Sequence, residues 1–215
     1  MTTIAIGLYD KFTSLDALGP YQVLSSIPGA TTVLCAAEAG TVSDENDLLH
    51  LRVDHTFDDV ADPDVIVVPG GFVTRRLAAE RHPIVDWVAN SHPTTTWTTS
   101  VCTGALVLGA AGLLDGLPAT THWMAYDDLA HYGAAPTEQR VVRNGKIITA
   151  AGVSAGIDMA LTLTAELVGA EVAQGIQLAI EYDPQPPFDS GSPSTADPDV
   201  LAMIRAFNEQ ADASA

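Results

Sequence analysis

A cysteine in a tight turn is the residue of this chain best suited to chemistry. Cys102 stands in Ser100-Val-Cys-Thr-Gly104, between a β-branched stretch over 94–101 and a predicted helix over 105–114. A strand, a tight turn and a helix in this order form a nucleophile elbow at the carboxyl edge of a sheet. Because a helix amino terminus favours an anion, we expect the pKa of the thiol to fall from about 8.5 toward about 4 to 6. The alternative is a buried, unreactive cysteine, which we expect for Cys35 in an apolar strand.

Two further features follow predicted strands and offer groups that a cysteine nucleophile needs. Gly70 and Gly71 come after the apolar run 65–68, where glycines let backbone N–H groups face a ligand and form an oxyanion hole. Asp16 follows the first strand at the start of a helix, where an acid is either a helix cap or a general acid and base. Because parallel strands end at one edge of a sheet, we expect these residues to lie beside Cys102.

Alternating strand-like and helix-like segments must position these residues. The predicted strands cover 3–9, 31–35, 65–68 and 94–101, with a small hairpin or edge strands within 40–62 and a strand–turn–strand hairpin over 141–149. The predicted helices cover 14–26, interrupted early at Gly19-Pro20, and then 83–89, 105–114, 154–180 and 198–209. This alternation predicts an α/β fold with a mostly parallel central sheet and helices on both faces. We expect a single domain over 1–215, with a proline-rich C-terminal arm at about 184–215.

Several motifs make the chain similar to the ThiJ/PfpI superfamily, whose members carry an acid after the first strand, a glycine-rich turn and a cysteine elbow. The matching residues are Asp16, Gly70-Gly71 and Cys102. Within the superfamily the chain resembles the isonitrile hydratases over nearly its whole length. The stretches that carry this resemblance are Leu15-Asp-Ala-Leu-Gly-Pro20, Ser100 to Leu114, Ala119-Thr-Thr-His-Trp123, Gly156-Ile-Asp158, Glu181-Tyr182, Pro186-Pro-Phe188 and Gly191-Ser-Pro193.

The resemblance implies a flavodoxin-like, class I glutamine-amidotransferase-like fold, a homodimer and a small-molecule substrate. It implies that the Cys102 sulfur attacks the terminal carbon of an isocyanide and that Asp16 protonates this carbon, giving a covalent thioimidate. Water deprotonated by the same acid then releases an N-substituted formamide. Thr103 would hold the site through its hydroxyl and its backbone N–H, and Tyr182 would line the pocket, unless it is a packed tyrosine. This chemistry needs an activated thiol and a nearby acid, and it needs no metal or cofactor.

Other functions stay open at this point. A glyoxalase or deglycase of the same superfamily would act on α-keto aldehydes, and a ligand-sensing domain like that of AraC-type regulators shares the Thr-Thr-His-Trp stretch. A cysteine peptidase or chaperone is disfavoured, because Thr103 follows the cysteine where protease-like members carry His. His122 is the candidate base of a Cys-His pair. The other histidines show no metal-ligand spacing, so we expect no metal and no cofactor.

The composition excludes several partners. Lys and Arg total 9 and Asp and Glu total 27, which gives a formal charge of −18 over 215 residues. This acidity argues against nucleic acid and against an anionic membrane surface, and no apolar run is long enough to cross a bilayer. We see no signal peptide and only 2 cysteines, so we expect a cytoplasmic protein with free thiols.

The kind of charge indicates the environment. Asp supplies 19 of the 27 acids, and only Lys11 and Lys146 are lysines. An acidic, soluble surface is the simpler interpretation, and adaptation to high salt is the sharper one, because salt screens the self-repulsion of such a surface. If the chain is salt-adapted, its unfolding temperature is higher in molar KCl than in dilute buffer. Thermal unfolding followed by circular dichroism measures this, and a higher unfolding temperature in dilute buffer contradicts it.

Overall fold

A seven-stranded sheet forms the centre of the protein, whose computed structural model describes residues 1–212 and the side chains of residues 1–208. The sheet has the order β10-β11-β7-β6-β1-β2-β5, and every neighbouring pair is parallel except β10 with β11. Two small two-stranded sheets pair β3 with β4 and β8 with β9. The strands, in chain order, are β1 (Thr2–Gly7), β2 (Ala30–Ala36), β3 (Gly40–Ser43), β4 (His50–Val53), β5 (His55–Thr56), β6 (Val65–Val68), β7 (Trp97–Val101), β8 (Pro118–Ala119), β9 (Ala135–Pro136), β10 (Val141–Asn144) and β11 (Ile147–Ala150).

Helices flank this sheet in two groups, in which α1 packs with α6, and α4 packs with α2 and α3. The predicted α/β fold is therefore confirmed, and so are both hairpins, β3 with β4 and β10 with β11. The helices, in chain order, are α1 (Ser14–Leu24), α2 (Thr74–Ala79), α3 (Pro83–Ser91), α4 (Gly104–Ala110), α5 (Tyr126–His131), α6 (Ala155–Val168), α7 (Ala170–Ala179) and α8 (Pro198–Asp212).

The chain divides into two compact units, one from Met1 to Ile180 and one from Glu181 onward. The first unit holds the sheets and α1 to α7, and the second holds the proline-rich segment and α8. The expectation of one domain with a C-terminal arm stays a prediction. Within residues 1–212, none of the helices combines the length and the apolar character that a membrane crossing requires.

Two helix predictions are wrong in instructive ways. The single helix expected over 154–180 is two helices, because Gly169 has a φ of 97°, a backbone conformation that ends a helix and that few residues other than glycine adopt. The interruption expected at Gly19-Pro20 does not occur, and α1 continues through both residues. Close packing of α1 on α6 holds them there, because a Cβ on Gly19 would lie only 3.1 Å from Ile157.

The order of the strands indicates where a ligand would bind. The strands β2 and β6 flank β1 on opposite sides, so the order of strands reverses at that point. In open α/β sheets, ligands bind at such a reversal, outside the carboxyl ends of the strands. The segments that follow β1 and β6 therefore lie at this reversal, and β7, which carries the cysteine elbow, is the next strand along.

Gly104 allows α4 to approach β6 closely, and this gives a test of the fold. A Cβ at Gly104 would lie 2.2 Å from the carbonyl oxygen of Val68, a backbone atom that cannot move aside cheaply. We expect Gly104→Ala to lower the free energy of unfolding by about 3 kcal/mol. Gly175→Ala is the matched control, because nothing lies within 4 Å of that position in α7, and alanine should raise stability by about 0.5 to 1 kcal/mol. Urea unfolding measures both, and equal stabilities contradict the prediction.

Candidate active site

Cys102 occupies a strained turn at the carboxyl end of β7. Its φ is 54°, in the left-handed region that disfavours every residue with a Cβ. Three hydrogen bonds hold it there. Its N–H donates to the carbonyl oxygens of Ala151 (2.8 Å) and Ala150 (3.1 Å), and its own carbonyl accepts from the Thr121 hydroxyl (2.8 Å). The strand, tight turn and helix expected around this cysteine are all present, and its side chain is 6% exposed.

Asp16 lies beside the cysteine, as the sequence predicted. It projects from the first turn of α1 and is fully buried. The backbone N–H of Gly70 donates to its Oδ2 at 2.8 Å. The carboxyl also hydrogen-bonds with the Cys102 thiol, an interaction that lowers the pKa of Asp16 and raises the pKa of Cys102. Its Oδ1 is buried and accepts no N–H or O–H hydrogen bond from the described residues, so this oxygen can still accept one from a reacting group.

The Gly70-Gly71 turn packs against Thr103 and holds the acid. A Cβ on Gly70 would lie 2.7 Å from Asp16 Oδ2 and 2.7 Å from the Thr103 nitrogen, so only glycine fits. The Gly71 N–H points to the Thr103 hydroxyl oxygen at 3.0 Å. Both glycine N–H groups are therefore engaged within the protein, one with the acid and one with the threonine. The substrate-binding role expected of them stays a prediction.

The expected fall in the pKa of Cys102 is wrong. Burial and the neighbouring Asp16 carboxylate raise the pKa of this thiol well above 9.0, and the opposing hydrogen bonds from the Thr103 N–H and hydroxyl do not offset them. The helix that begins at Gly104 is only 7 residues long, and it is the one influence on this thiol that the sequence reveals. The loss of water around the sulfur and the like charge beside it arise only in the folded protein.

The acid, in contrast, titrates near neutral pH. Burial raises the pKa of Asp16 from 3.8 to about 7, more than the Gly70 N–H and the Cys102 thiol lower it, and the Glu45 carboxylate raises it further. Asp16 and Cys102 interact directly, so they titrate as a pair. Between the loss of the first and second protons, the pair holds one proton, which either the oxygen or the sulfur can carry. An arrangement of this kind supplies both a nucleophile and an acid.

Three residues near the pair were missed by the sequence analysis. Tyr9 is 3% exposed and its hydroxyl donates to the carbonyl oxygen of Pro69 at 2.6 Å. Thr121 binds the Cys102 carbonyl, and Glu45 accepts a hydrogen bond from the Thr13 hydroxyl at 2.8 Å. The one signal for Tyr9 was its place just after β1. Thr121 lies in the stretch 119–123 that carries the family resemblance, but no sequence pattern assigns it to the Cys102 carbonyl, and nothing in the sequence connects Glu45 to the cysteine.

His122 and Tyr182 were the other candidates for a role beside the thiol. His122 caps the short 3-10 helix Trp123–Ala125, where its Nδ1 accepts from the Met124 N–H, and burial and Arg75 lower its pKa. Asp16 and Thr103, and not His122, are the described groups that act on the pKa of Cys102. Tyr182 lies in the second unit, and its role stays a prediction. Among the described residues, no group of three or more His, Cys, Asp or Glu could hold a metal ion.

A mostly parallel α/β sheet with a cysteine elbow and a buried acid at its carboxyl edge defines a class of cysteine-dependent α/β proteins. Residues 2–166 match the DJ-1/PfpI family, and the chain belongs to that family. It is 46% identical over 198 residues to the isonitrile hydratase of Pseudomonas putida, a match that covers 92% of this chain and 86% of that protein.

Two further comparisons concern a solved structure and a transcriptional regulator. The crystal structure of a ThiJ/PfpI family protein from Pseudomonas syringae superposes with a TM-score of 0.91 at 40% identity, over 97% of this chain and 86% of that one. The HTH-type transcriptional regulator CdhR of Pseudomonas aeruginosa is 31% identical over 152 residues, which are 70% of this chain but only 43% of the regulator. The resemblance to the ThiJ/PfpI superfamily is thus confirmed.

The raised pKa of Asp16 predicts how stability depends on pH. The unfolded chain releases this proton near 3.8, whereas the folded protein keeps it up to about 7. Between those values the folded state holds the extra proton, so stability falls as the pH rises, by about 4 kcal/mol at most. Asp16→Asn cannot ionise and should therefore gain stability relative to wild type from pH 4 to pH 8. Urea unfolding of both proteins measures the difference. A difference that is constant across this window contradicts the raised pKa.

Proposed function

We propose that this protein is an isonitrile hydratase-like enzyme, which adds water to an isocyanide and releases an N-substituted formamide. The observation that carries the proposal is the buried Asp16–Cys102 pair, in which the pKa of Asp16 is about 7. The similarity to the Pseudomonas putida isonitrile hydratase over 92% of the chain supports the choice of substrate. Cys102 and Asp16 are the catalytic residues of this proposal, and Thr103 is a positioning residue.

In the first step, the singly protonated pair adds across the terminal carbon of the isocyanide. The sulfur of Cys102 forms a bond to that carbon, and the proton held by the pair is transferred to the same carbon through Asp16. The product is a thioimidate, in which carbon carries the sulfur, one hydrogen and a double bond to nitrogen. Because the thiol is protonated at rest, the Asp16 carboxylate must accept its proton as the carbon–sulfur bond forms.

In the second step, water adds to the thioimidate carbon. Asp16 takes a proton from the water as its oxygen bonds to carbon, and passes that proton to the nitrogen. The hydroxyl proton of the resulting intermediate then returns to the pair while the carbon–sulfur bond breaks and the formamide carbonyl forms. One isocyanide and one water give one formamide, and the pair regains its single proton. The unpartnered Oδ1 of Asp16 is the atom that we assign to these transfers.

The proposal extends beyond the chemistry to binding residues, oligomeric state and location. We include substrate binding by Gly70, Gly71 and Tyr182, a homodimeric state and a cytoplasmic location. The resemblance to the superfamily supports the dimer. The acidic composition, with a charge of −18, supports a protein that binds neither nucleic acid nor a membrane surface. No cofactor enters the proposed steps, since the pair supplies both the nucleophile and the proton.

Turnover of an aliphatic and an aryl isocyanide, with detection of the formamide, tests the proposal. Wild type should produce formamide, Cys102→Ala should not, and Asp16→Asn should lose at least about 100-fold in kcat. Cys35→Ala is the matched control and should retain turnover, because burial raises the pKa of Cys35 to about 12 and keeps this thiol protonated. Turnover of methylglyoxal without turnover of isocyanides contradicts the proposal and favours a glyoxalase.

The same assay predicts a pH profile. The value of kcat/KM should rise as the pH passes about 7, because the doubly protonated pair contains no free base. It should fall again only at strongly alkaline pH, because burial and Asp16 raise the pKa of Cys102 and the pair must lose its second proton before it can no longer protonate the isocyanide carbon. A rate that is flat from pH 5 to pH 9 contradicts these roles.

A further inference from the structure

The peptide unit between Pro69 and Gly70 is held at both ends by buried side chains. At one end, the Tyr9 hydroxyl donates to the Pro69 carbonyl oxygen at 2.6 Å. At the other end, the Gly70 N–H donates to Asp16 Oδ2 at 2.8 Å. Because a trans peptide is planar and its C=O and N–H point in opposite directions, fixing the carbonyl also aims the N–H. Tyr9 and Asp16 are thus connected through a single rigid group.

The next peptide of the turn is also held, which leaves little freedom for the first. The Gly70 carbonyl oxygen accepts from the Thr13 N–H at 2.8 Å, and the Gly71 N–H lies 3.0 Å from the Thr103 hydroxyl oxygen. The turn therefore presents four bound groups in a row. Tyr9 is the side chain that reaches this array from the end of β1.

The Tyr9 hydroxyl is a permanent donor in this position. Its side chain is 3% exposed, and burial together with the charges of Asp16, Cys102 and Glu45 raises the pKa of its phenol well above 10.0. The hydroxyl therefore keeps its proton at neutral pH and well above it. A hydrogen bond to a carbonyl polarises the amide and strengthens the N–H at its other end as a donor, by roughly 10 to 30%.

We propose that Tyr9 is a positioning residue for the catalytic acid, acting through the Pro69–Gly70 peptide to orient and polarise the N–H that binds Asp16. The inference rests on the proposed function, since it assigns to Tyr9 a part in the proton transfer by Asp16. Tyr9 touches neither substrate nor sulfur in this role. It determines how strongly the carboxylate form of Asp16 is held, and therefore the pH at which the pair loses its first proton.

Tyr9→Phe removes the donor and leaves the ring in place. The Gly70 N–H favours the carboxylate, so weakening that bond raises the pKa of Asp16. We expect the rise of kcat/KM to move to higher pH by about half a unit, with kcat about tenfold lower and KM little changed. The rising, acidic side of the kcat/KM profile is called the acidic limb. Glu45→Gln removes a nearby negative charge and should move the acidic limb to lower pH, which shows that this limb follows the pKa of Asp16. Tyr132→Phe removes the hydroxyl of a tyrosine that follows α5 and packs against Gly109, and it should leave the pH profile unchanged.

Alkylation of Cys102 by iodoacetamide gives the same information without isocyanide turnover. The alkylation rate of Cys102 is measured at a series of pH values by mass spectrometry of the peptide that contains it. In Tyr9→Phe, the rise of this rate with pH should move to higher pH, as the rise of kcat/KM does. An inactive wild type with a shifted alkylation profile contradicts the proposed function but supports the role of Tyr9. Active proteins with superimposable profiles contradict the role of Tyr9 and leave the proposed function intact.

A second variant covers the case in which Tyr9→Phe does not fold. Incorporation of 3-fluorotyrosine at position 9 keeps the hydroxyl and nearly the same volume but makes the hydroxyl a stronger donor. The Gly70 N–H then binds Asp16 more tightly, so the limb should move to lower pH, opposite to Tyr9→Phe. A limb that does not move, or that moves to higher pH, overturns the inference.

Discussion

The contact between the turn after β6 and the elbow after β7 is the constraint on which the rest of the site depends. Gly70 fits between Asp16 and Thr103 with no room for a Cβ, and Gly104 lies against the Val68 carbonyl in the same way. These two approaches bring the two turns together closely enough for one backbone N–H to reach a carboxylate and the next to reach a threonine hydroxyl. A bulkier residue at either glycine would separate the acid from the nucleophile.

Burial then determines the electrostatics of the site, against the tendency of the local helix. The chain carries a charge of −18, yet the two groups that matter are a carboxyl and a thiol at 0% and 6% exposure, where water no longer stabilises an anion. Both pKa values rise, and the pair retains a proton at neutral pH. At that pH the fold is less stable than it would be with an uncharged residue in place of Asp16. The same burial keeps a proton donor next to a nucleophile.

Local sequence patterns predict the fold and the central residues of the site. The features that they do not predict depend on tertiary contacts. Asp16, Gly70 and Cys102 follow strands whose apolar runs are visible in the sequence, and parallel pairing brings strand ends together. The break at Gly169 was not visible, because the apolar spacing continues across it. The sign of the pKa shift and the role of Tyr9 depend on burial and on contacts 60 residues apart in sequence, such as Tyr9 with Pro69, which no local pattern encodes.

The pair also distinguishes catalysis from ligand sensing on physical grounds. The transcriptional regulator CdhR is similar to 70% of this chain, so similarity of this kind alone does not select an enzyme. A domain that only binds a ligand has no need of a buried carboxyl whose pKa is about 7, since an uncharged side chain at that position would make the fold more stable. A proton transfer at neutral pH needs such a group. The lowered stability at Asp16, beside a cysteine held at a φ of 54°, is therefore a feature that a catalytic function explains.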